Sequence, residues 1–412
     1  MPSMRTRVAA SLGRATSAAS RATKRGDGSV IGARVTLLLA PHALDELAAG
    51  WRIATVSGTN GKSTTTAFLT AACTAGGRSV VSNTEGANLR SGVVALLSSR
   101  RTRDADLAVL EVDELALPTL LPSFEHPVVV LLNLSRDQLD RFGEVRTVAS
   151  RWRAALAMNP ATVIANADDP LVTWGASAAE NVTFVGVGLG WRLDAVSCPA
   201  CGERIECSDT DWWCSACSLR RPSGHQLSGD ELLDPAGKVL TVLRPGVPGR
   251  HNLANAALAV VAAMKLGVEP SVAAGATEAV TSIAGRYQTV AIGRSQVRLL
   301  LAKNPAGWHE LLTMIDGESR PVLLAINART ADGRDPSWLW DVEFERLRGR
   351  KVVAAGERAA DLAVRLHYAE VDCEVWHGDV IERLRTLDDP LVDVLANYTV
   401  FADLTRQLRM SA

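Results

Sequence analysis

The stretch IATVSGTNGKSTTTAFLTAAC, residues 53–73, decides how this chain is read. IATVS is short, apolar and β-branched, GTNGK is a turn, and STTTAFLTAAC has helical composition that runs out at Gly76 and Gly77. The product is a strand, a glycine loop and a helix, in that order. Gly58 and Gly61 let the backbone turn tightly, so several N–H groups and the helix N-terminus can face a phosphate. Lys62 adds positive charge at the β- and γ-phosphates, and Ser63 adds a hydroxyl for Mg²⁺. A plain glycine turn before a helix is the alternative, and Val56 stands where the generic G-x-x-x-x-G-K-[ST] pattern has its first glycine. Strand, loop, GKS and helix nevertheless occur in sequence. Nucleotide binding by Gly58, Thr59, Asn60, Gly61, Lys62, Ser63 and Thr64 is the expectation.

Further short apolar runs follow at residues 78–83, 105–113, 126–135, 161–170 and 181–188, with helical stretches between several of them. That alternation predicts an α/β domain with a buried, mostly parallel sheet. Upstream, RVTLLLAPHALDELAAG (34–50) looks like a short strand and a helix. GRHNLANAALAVVAAMKLG (249–267) returns to helix, and GRYQTV (285–290) looks like an exit from the domain. VRLLLAKNP, PVLLAIN, KVVAAG and CEVWHGD then alternate with helices such as DLAVRLHYAE, which predicts a smaller, Rossmann-like α/β domain. The expected organisation is a basic segment at 1–45, an ATP-binding domain at 46–288 interrupted by an insertion at 191–225, and a C-terminal domain at 289–412.

Bulk properties exclude some classes. The 412 residues are 47% hydrophobic and 22% charged, which suits a folded chain of two to three domains. A formal charge of −1 gives no basic field for nucleic acid. The apolar runs fall short of the ~20 residues that cross a bilayer. Residues 1–34 hold seven Arg or Lys and one acid, Asp27. A transit peptide, an amphipathic helix at anionic lipid, and a solvated basic helix all fit that bias. The cytoplasm is expected, with contact at the inner face of the membrane left open.

CPACGERIECSDTDWWCSAC, residues 198–217, holds five of the seven cysteines. Cys198 and Cys201, then Cys214 and Cys217, form two C-x-x-C pairs twelve residues apart, the spacing of a zinc ribbon. Four thiolates leave no open position, so the zinc is expected to be structural, with Cys207 a bystander. Arg204, Arg220 and Arg221 are offset by Glu203, Glu206, Asp209 and Asp211, a poor phosphate-binding surface. Cys73 and Cys373 look like core thiols.

Three more elements carry chemistry. Glu111 ends the apolar run LAVLE, where a P-loop enzyme places a carboxylate for Mg²⁺, with Asp113 and Glu114 close enough to be confused with it. NLSRDQLDRFGE (133–144) puts Asn133 at a strand end before an acidic loop. In GRHNLANAALA (249–259), His251, Asn252 and Asn255 crowd a helix start. Capping explains one Asn, and three polar groups together suggest a ligand contact.

Together these motifs resemble the Mur ligase superfamily, the ATP-dependent amide-bond ligases that include folylpolyglutamate synthases. The resemblance covers nearly all of the chain after residue 45. GTNGKS is similar to the family P-loop, NLSRDQLDRFGE to its N-x-x-x-D-H-L-D element, and GRHNLANAALA to its G-x-H-N-x-x-N-x-x-A-A element. It implies that Asn255, and less directly Asn252, sits by the adenine and that Arg286 meets the ATP phosphates. Gln138 stands where the family has His, which puts a metal ligand in doubt. LAKNPAG, DGRDPSWLWD, the short N-terminal region and the cysteine insertion are all similar to the MurT branch, the synthetase-like subunits of lipid II isoglutaminyl synthase. That implies amidation of the D-glutamate α-carboxylate of lipid II to D-isoglutamine through an acyl phosphate. The ammonia would come from a GatD-type glutaminase subunit in a heterodimer. The short N-terminal region leaves no room for the usual UDP-binding domain, which favours a lipid-carried substrate. An acid of the DGRDPSWLWD loop, Asp341 first and Asp335 second, would complete the partner's Cys–His pair. Trp338 and Trp340 in that loop suggest an interface. A ligase that adds an amino acid without a glutaminase, or an ATP-binding scaffold, is the alternative.

Overall fold

A computed structural model describes all residues except 1, 23–28, 84–86, 100–103, 138–144, 189, 284–286, 388 and 412. The described residues form two units. The first runs to Ser135 and includes 145–246 and His251–Val280. The second holds Arg136, Asp137, Val247–Arg250 and the chain from Thr281.

In the first unit, helices α1 (Met4–Ala22), α2 (Ser29–Leu39) and α3 (Ala43–Ala48) precede β1 (Arg52–Ser57) and α4 (Lys62–Ala75). Then come β2 (Val80–Ser82), α5 (Arg90–Leu97), β3 (Leu107–Glu111), α6 (Leu117–Leu120), β4 (Val128–Leu131), α7 (Val145–Ala157), β5 (Thr162–Asn166), α8 (Pro170–Ala176) and β6 (Asn181–Gly186). β7 (Ile205–Cys207) and β8 (Trp212–Cys214) form a separate two-stranded sheet; β9 (His225–Ser228), β10 (Glu231–Leu233) and β11 (Val239–Val242) rejoin the main sheet. Helices α9 (Arg250–Lys265) and α10 (Pro270–Glu278) close the run. The nine-stranded sheet is ordered β11-β10-β9-β6-β5-β4-β1-β3-β2. It is parallel from β2 to β9 and antiparallel across β9, β10 and β11.

β1 lies between β3 and β4, and after Arg52 every residue of it is buried. This is the continuous apolar run that a parallel, doubly covered strand requires. Leu44, Phe124, Trp152 and Leu171 pack with strand residues Ile53, Leu110 and Val163 in one core.

Residues 34–39, expected as a strand, are helical and belong to α2. Close packing on α1 overrides their β-branched and apolar bias. A Cβ on Gly13 would stand 2.5 Å from the Gly32 carbonyl, so only glycine permits this crossing.

In the second unit, β12 (Tyr287–Ile292), β13 (Ser295–Leu301), β14 (Val322–Ala325), β15 (Val352–Ala355), β16 (Cys373–Val375) and β17 (Leu391–Ala396) form a sheet ordered β12-β13-β17-β14-β15-β16. β12 is the antiparallel edge and the other pairs are parallel. Helices α11 (Pro305–Met314), α12 (Ala359–Tyr368), α13 (Val380–Arg385) and α14 (Tyr398–Ser411) complete it, with an apolar core on each side of the sheet. Asp393 on β17 is fully buried and takes a two-pronged ion pair from Arg298, 2.7 and 2.9 Å.

Candidate functional site

The loop between β1 and α4 has the geometry the glycines promised. Gly58 has φ 146° and Gly61 φ 85°, both left-handed. Gly61 caps α4 with no side-chain hydrogen bond, which leaves the first-turn N–H groups of the helix directed outward. Space at the loop is tight. A Cβ on Gly58 would come within 2.9 Å of Leu132, and one on Gly61 within 2.6 Å of the Asn255 Oδ1. Asn133, at the exit of β4, clamps the loop from the other side. Its Oδ1 accepts from Asn60 N at 2.9 Å, its Nδ2 donates to Asn60 O at 3.0 Å, and its carbonyl accepts from Thr59 N. Ser135 N donates to Thr59 Oγ1 at 3.0 Å.

The three acids at and beyond the end of β3 separate. Glu111 Oε2 accepts from Ser63 Oγ at 2.7 Å, and Asn88 Nδ2 approaches its Oε1 at 3.3 Å. Glu114 pairs with Lys62 at 2.9 Å, both side chains nearly buried. Lys62 Nζ also donates to the Gly58 and Thr59 carbonyls. Asp113 turns back to cap Leu115 N, and burial raises its pKa. Ser63 and Glu111 therefore meet at one point, where hard oxygen ligands suit Mg²⁺.

The helix start of α9 delivers Asn255 to the loop, and Asn252 lies 3.5 Å from Asn255. His251 beside them is partly buried, and desolvation pushes its imidazole down to about 4, so it is neutral at pH 7. Arg286 and Gln138 lie outside the described residues.

The four cysteines Cys198, Cys201, Cys214 and Cys217 come together, with all four Sγ atoms within 4.8 Å of one another. Cys207 is exposed on β7 and takes no part. The backbone N–H groups of Ala216 and Cys217 lower the Cys214 thiol to about 7, which favours the thiolate. Soft donors in this closed arrangement fit a four-coordinate zinc ion. The β7–β8 ribbon is tied to the sheet by two buried links. Trp212 Nε1 donates to the Ala167 carbonyl at 2.9 Å, and Arg221 pairs with Asp168. The adjoining Asp169 caps α8 and takes Leu134 N at 2.8 Å, one residue from Asn133.

In the second unit, Asp335 precedes a short 3₁₀ helix (Ser337–Asp341) that ends on Asp341, and both acids line a cavity of about 150 Å³ with Arg136, Lys303, Asn304, Asp332 and Trp338. Asp341 faces Arg136 at 3.3 Å, and Lys303 pairs with Asp137. Asp335 is exposed and accepts from Ser337 N and Oγ, which lower its pKa. Trp338 packs on Trp308, whereas Trp340 is 55% exposed against Tyr368.

The family model for the Mur ligase middle domain matches residues 56–263, just over half of the chain, and that for the MurT ligase C-terminal region matches 301–401. The chain belongs to the Mur ligase family. Two similar curated Mur ligase relatives are the lipid II isoglutaminyl synthase (glutamine-hydrolyzing) subunits MurT of Staphylococcus aureus and Streptococcus pneumoniae. Each is 28% identical; the first alignment covers 86% of this chain and 87% of the relative, the second 94% and 93%. Among solved Mur ligase folds, a pseudomurein peptide ligase from Methanothermus fervidus superposes at TM-score 0.65 with 15% identity, covering 88% of this chain and 79% of that one. MurF from Acinetobacter baumannii gives 0.63 with 16% identity, covering 90% and 80%. The expected Mur ligase fold is therefore borne out.

Sequence reasoning missed the roles of Asn83, Asn88 and Glu114. Asn83 fixes the strand end by exchanging hydrogen bonds with the Glu111 backbone. The polar run SNTEGAN after β2 was the available signal.

Proposed function

We propose that this chain is the ligase subunit of a lipid II isoglutaminyl synthase, activating the α-carboxylate of D-glutamate in the lipid II stem peptide with ATP. The observation that carries it is the P-loop constellation, in which Gly61, Lys62 and Ser63 meet Asn255, Glu114 and Glu111. The MurT likeness over most of the chain selects the substrate. Family membership implies ATP and Mg²⁺.

The carboxylate oxygen attacks the γ-phosphorus and ADP departs, leaving an acyl phosphate. Ammonia then adds to the acyl carbon, phosphate leaves, and the nitrogen sheds a proton to give the amide. Phosphoryl transfer is mainly positioning and charge neutralisation. The loop N–H groups and Lys62 hold the phosphates, Lys62 exchanging Glu114 for them, and Asn255 flanks the loop on the adenine side. Ser63 and Glu111 would hold Mg²⁺, which would supply charge neutralisation to the phosphates.

Ammonia is mostly ammonium at neutral pH, so a glutaminase that delivers it unprotonated is an advantage. Neither thiol outside the ribbon suits glutamine hydrolysis: burial pushes Cys73 up to about 12 and raises Cys373 as well. The partner is a GatD-type glutaminase, in keeping with the "glutamine-hydrolyzing" and "subunit" of the relatives' names. The acid offered to that partner comes from the loop that carries Asp335, Trp340 and Asp341. Asp341, whose side chain is 37% exposed beside Arg136, remains the first choice expected from sequence, with Asp335 second. The lipid-carried substrate places the work at the cytoplasmic face of the membrane.

Purified chain with ATP, Mg²⁺, lipid II and high ammonium chloride should yield amidated lipid II by mass spectrometry, and glutamine should replace ammonium only when the glutaminase is added. Turnover only with a free amino acid would overturn the reading.

A further inference from the structure

Helices α1 and α2 form a hairpin whose two sides differ. Its inner side is built from small residues: Thr6, Ala9, Ala10 and Gly13 of α1 against Gly32, Ala33 and Thr36 of α2, all buried. A Cβ on Gly32 would stand 2.2 Å from the Gly13 carbonyl, so the helices touch backbone to backbone. The larger apolar residues point outward. Met4, Val8 and Leu12 are 75%, 51% and 49% exposed and lie within an arc of about 80° on α1. Leu38 and Leu39 of α2 are also exposed, and Arg5 Nε donates to the Leu39 carbonyl, so they share one end of the hairpin with Met4. A helix whose inner contacts are already satisfied has no folding reason to carry this second stripe.

The charges flanking the stripe identify its occupant. α1 and α2 contain five arginines and no acid. Arg5, Arg7, Arg14 and Arg34 are exposed, and on α1 Arg5 lies on one side of the stripe while Arg7 and Arg14 lie on the other. The acids of α3 are both hydrogen-bonded: Glu46 accepts from Ser3 N and Oγ, next to Met4, and Asp45 accepts from Ser123 Oγ. A second copy of this face would bring like charges together. A surface that is apolar below and negative above satisfies both features at once.

We propose that the α1–α2 hairpin is an interfacial anchor, laying the Met4–Val8–Leu12 stripe and Leu38 into an anionic lipid bilayer with the arginines at headgroup level. No described helix is long and apolar enough to cross a membrane, so the hairpin lies in the plane of the interface. The inference deepens the lipid-substrate reading but is testable apart from it.

The test is co-sedimentation of the full chain with vesicles of phosphatidylglycerol and phosphatidylcholine, free of any peptidoglycan precursor. Binding is expected with the mixed vesicles, at least tenfold weaker with phosphatidylcholine alone, and reduced by salt. Arg7→Ala should weaken it about fivefold. Val8→Asp with Leu12→Asp should abolish it, as should Leu38→Asp, whose parent side chain is 81% exposed and whose melting curve controls for folding. Equal binding to neutral vesicles, or unchanged binding by both acidic variants, overturns the proposal. So does a change in the oligomeric state of vesicle-free Leu38→Asp, which assigns the face to a second copy, or loss of glutaminase co-purification, which assigns it to the partner. Failure to bind vesicles with amidation intact would refute the anchor and leave the ligase reading standing.

Discussion

Gly61→Ala separates backbone strain from nucleotide recognition. At φ 85° a residue with a Cβ pays about 1–2 kcal/mol. The new methyl would also sit 2.6 Å from the Asn255 Oδ1 and 3.0 Å from its Nδ2. Contact at that distance forces the amide away from the loop or the loop out of its phosphate-binding curve. Gly77, past the end of the same helix, is the matched control: its φ is 83°, and a Cβ there meets nothing within 4 Å. Both alanine variants should therefore lose a similar backbone increment, seen as a fall of about 2–8 °C in the melting temperature of nucleotide-free protein. Only Gly61→Ala should also lose ATP, with affinity down at least tenfold in a fluorescent-nucleotide titration, a change worth about 1.4 kcal/mol. Wild-type affinity in Gly61→Ala would refute the placement of Asn255 at the nucleotide. Equal loss in Gly77→Ala would show that strain in α4, not the contact, weakens binding.

Glu114→Gln removes the countercharge of a lysine that is 3% exposed, so the nucleotide-free protein should lose about 3–5 kcal/mol. ATP phosphates replace that charge, so thermal-shift assays should show a larger ATP-induced stabilisation than in wild type. Cys214→Ser should lose metal by elemental analysis and unfold the ribbon first, with Trp212 moving into water; a variant that keeps both fold and full metal content would end the staple reading. His251 titrates near 6.5 when unfolded and at about 4 when folded, so its contribution is complete above pH 6.5 and lost as pH falls to 4. The amount is about 3 kcal/mol, and urea unfolding of His251→Gln should lack this acid-side loss. Burial pushes Asp169 up to about 6 with the opposite sign, but it is common to both proteins and cancels in the comparison.

The glycine loop between β1 and α4 was legible because its geometry is local: two glycines, a lysine and a serine fall within six residues of chain. The ribbon was legible for the same reason, since two C-x-x-C turns state their own geometry. What escaped depends on distance. Glu111 and Glu114 are three residues apart, and only the positions of Ser63 and Lys62 in space assign them different partners. VTLLL has strand composition, but the glycine contact with α1, some twenty residues upstream, makes it helical. LVDVLA, which forms β17, announces itself poorly because Asp393 interrupts the apolar run. Arg298 from the neighbouring strand neutralises that acid, and nothing near Asp393 in sequence announces it. The β9–β11 meander was also missed, its strands of three or four residues being too short to show a clean alternation.

β17 has a consequence for synthesis on the ribosome. It is made long after β13 and β14, yet it lies between them. Until residues 391–396 emerge, both older strands present unpaired backbone toward the gap, and Arg298 waits for the carboxylate of Asp393. A nascent or prematurely terminated chain would thus expose two apolar edges that could accept a strand from a neighbour. The order of translation therefore leaves the sheet of the second unit open at its centre until nearly the whole chain has been made.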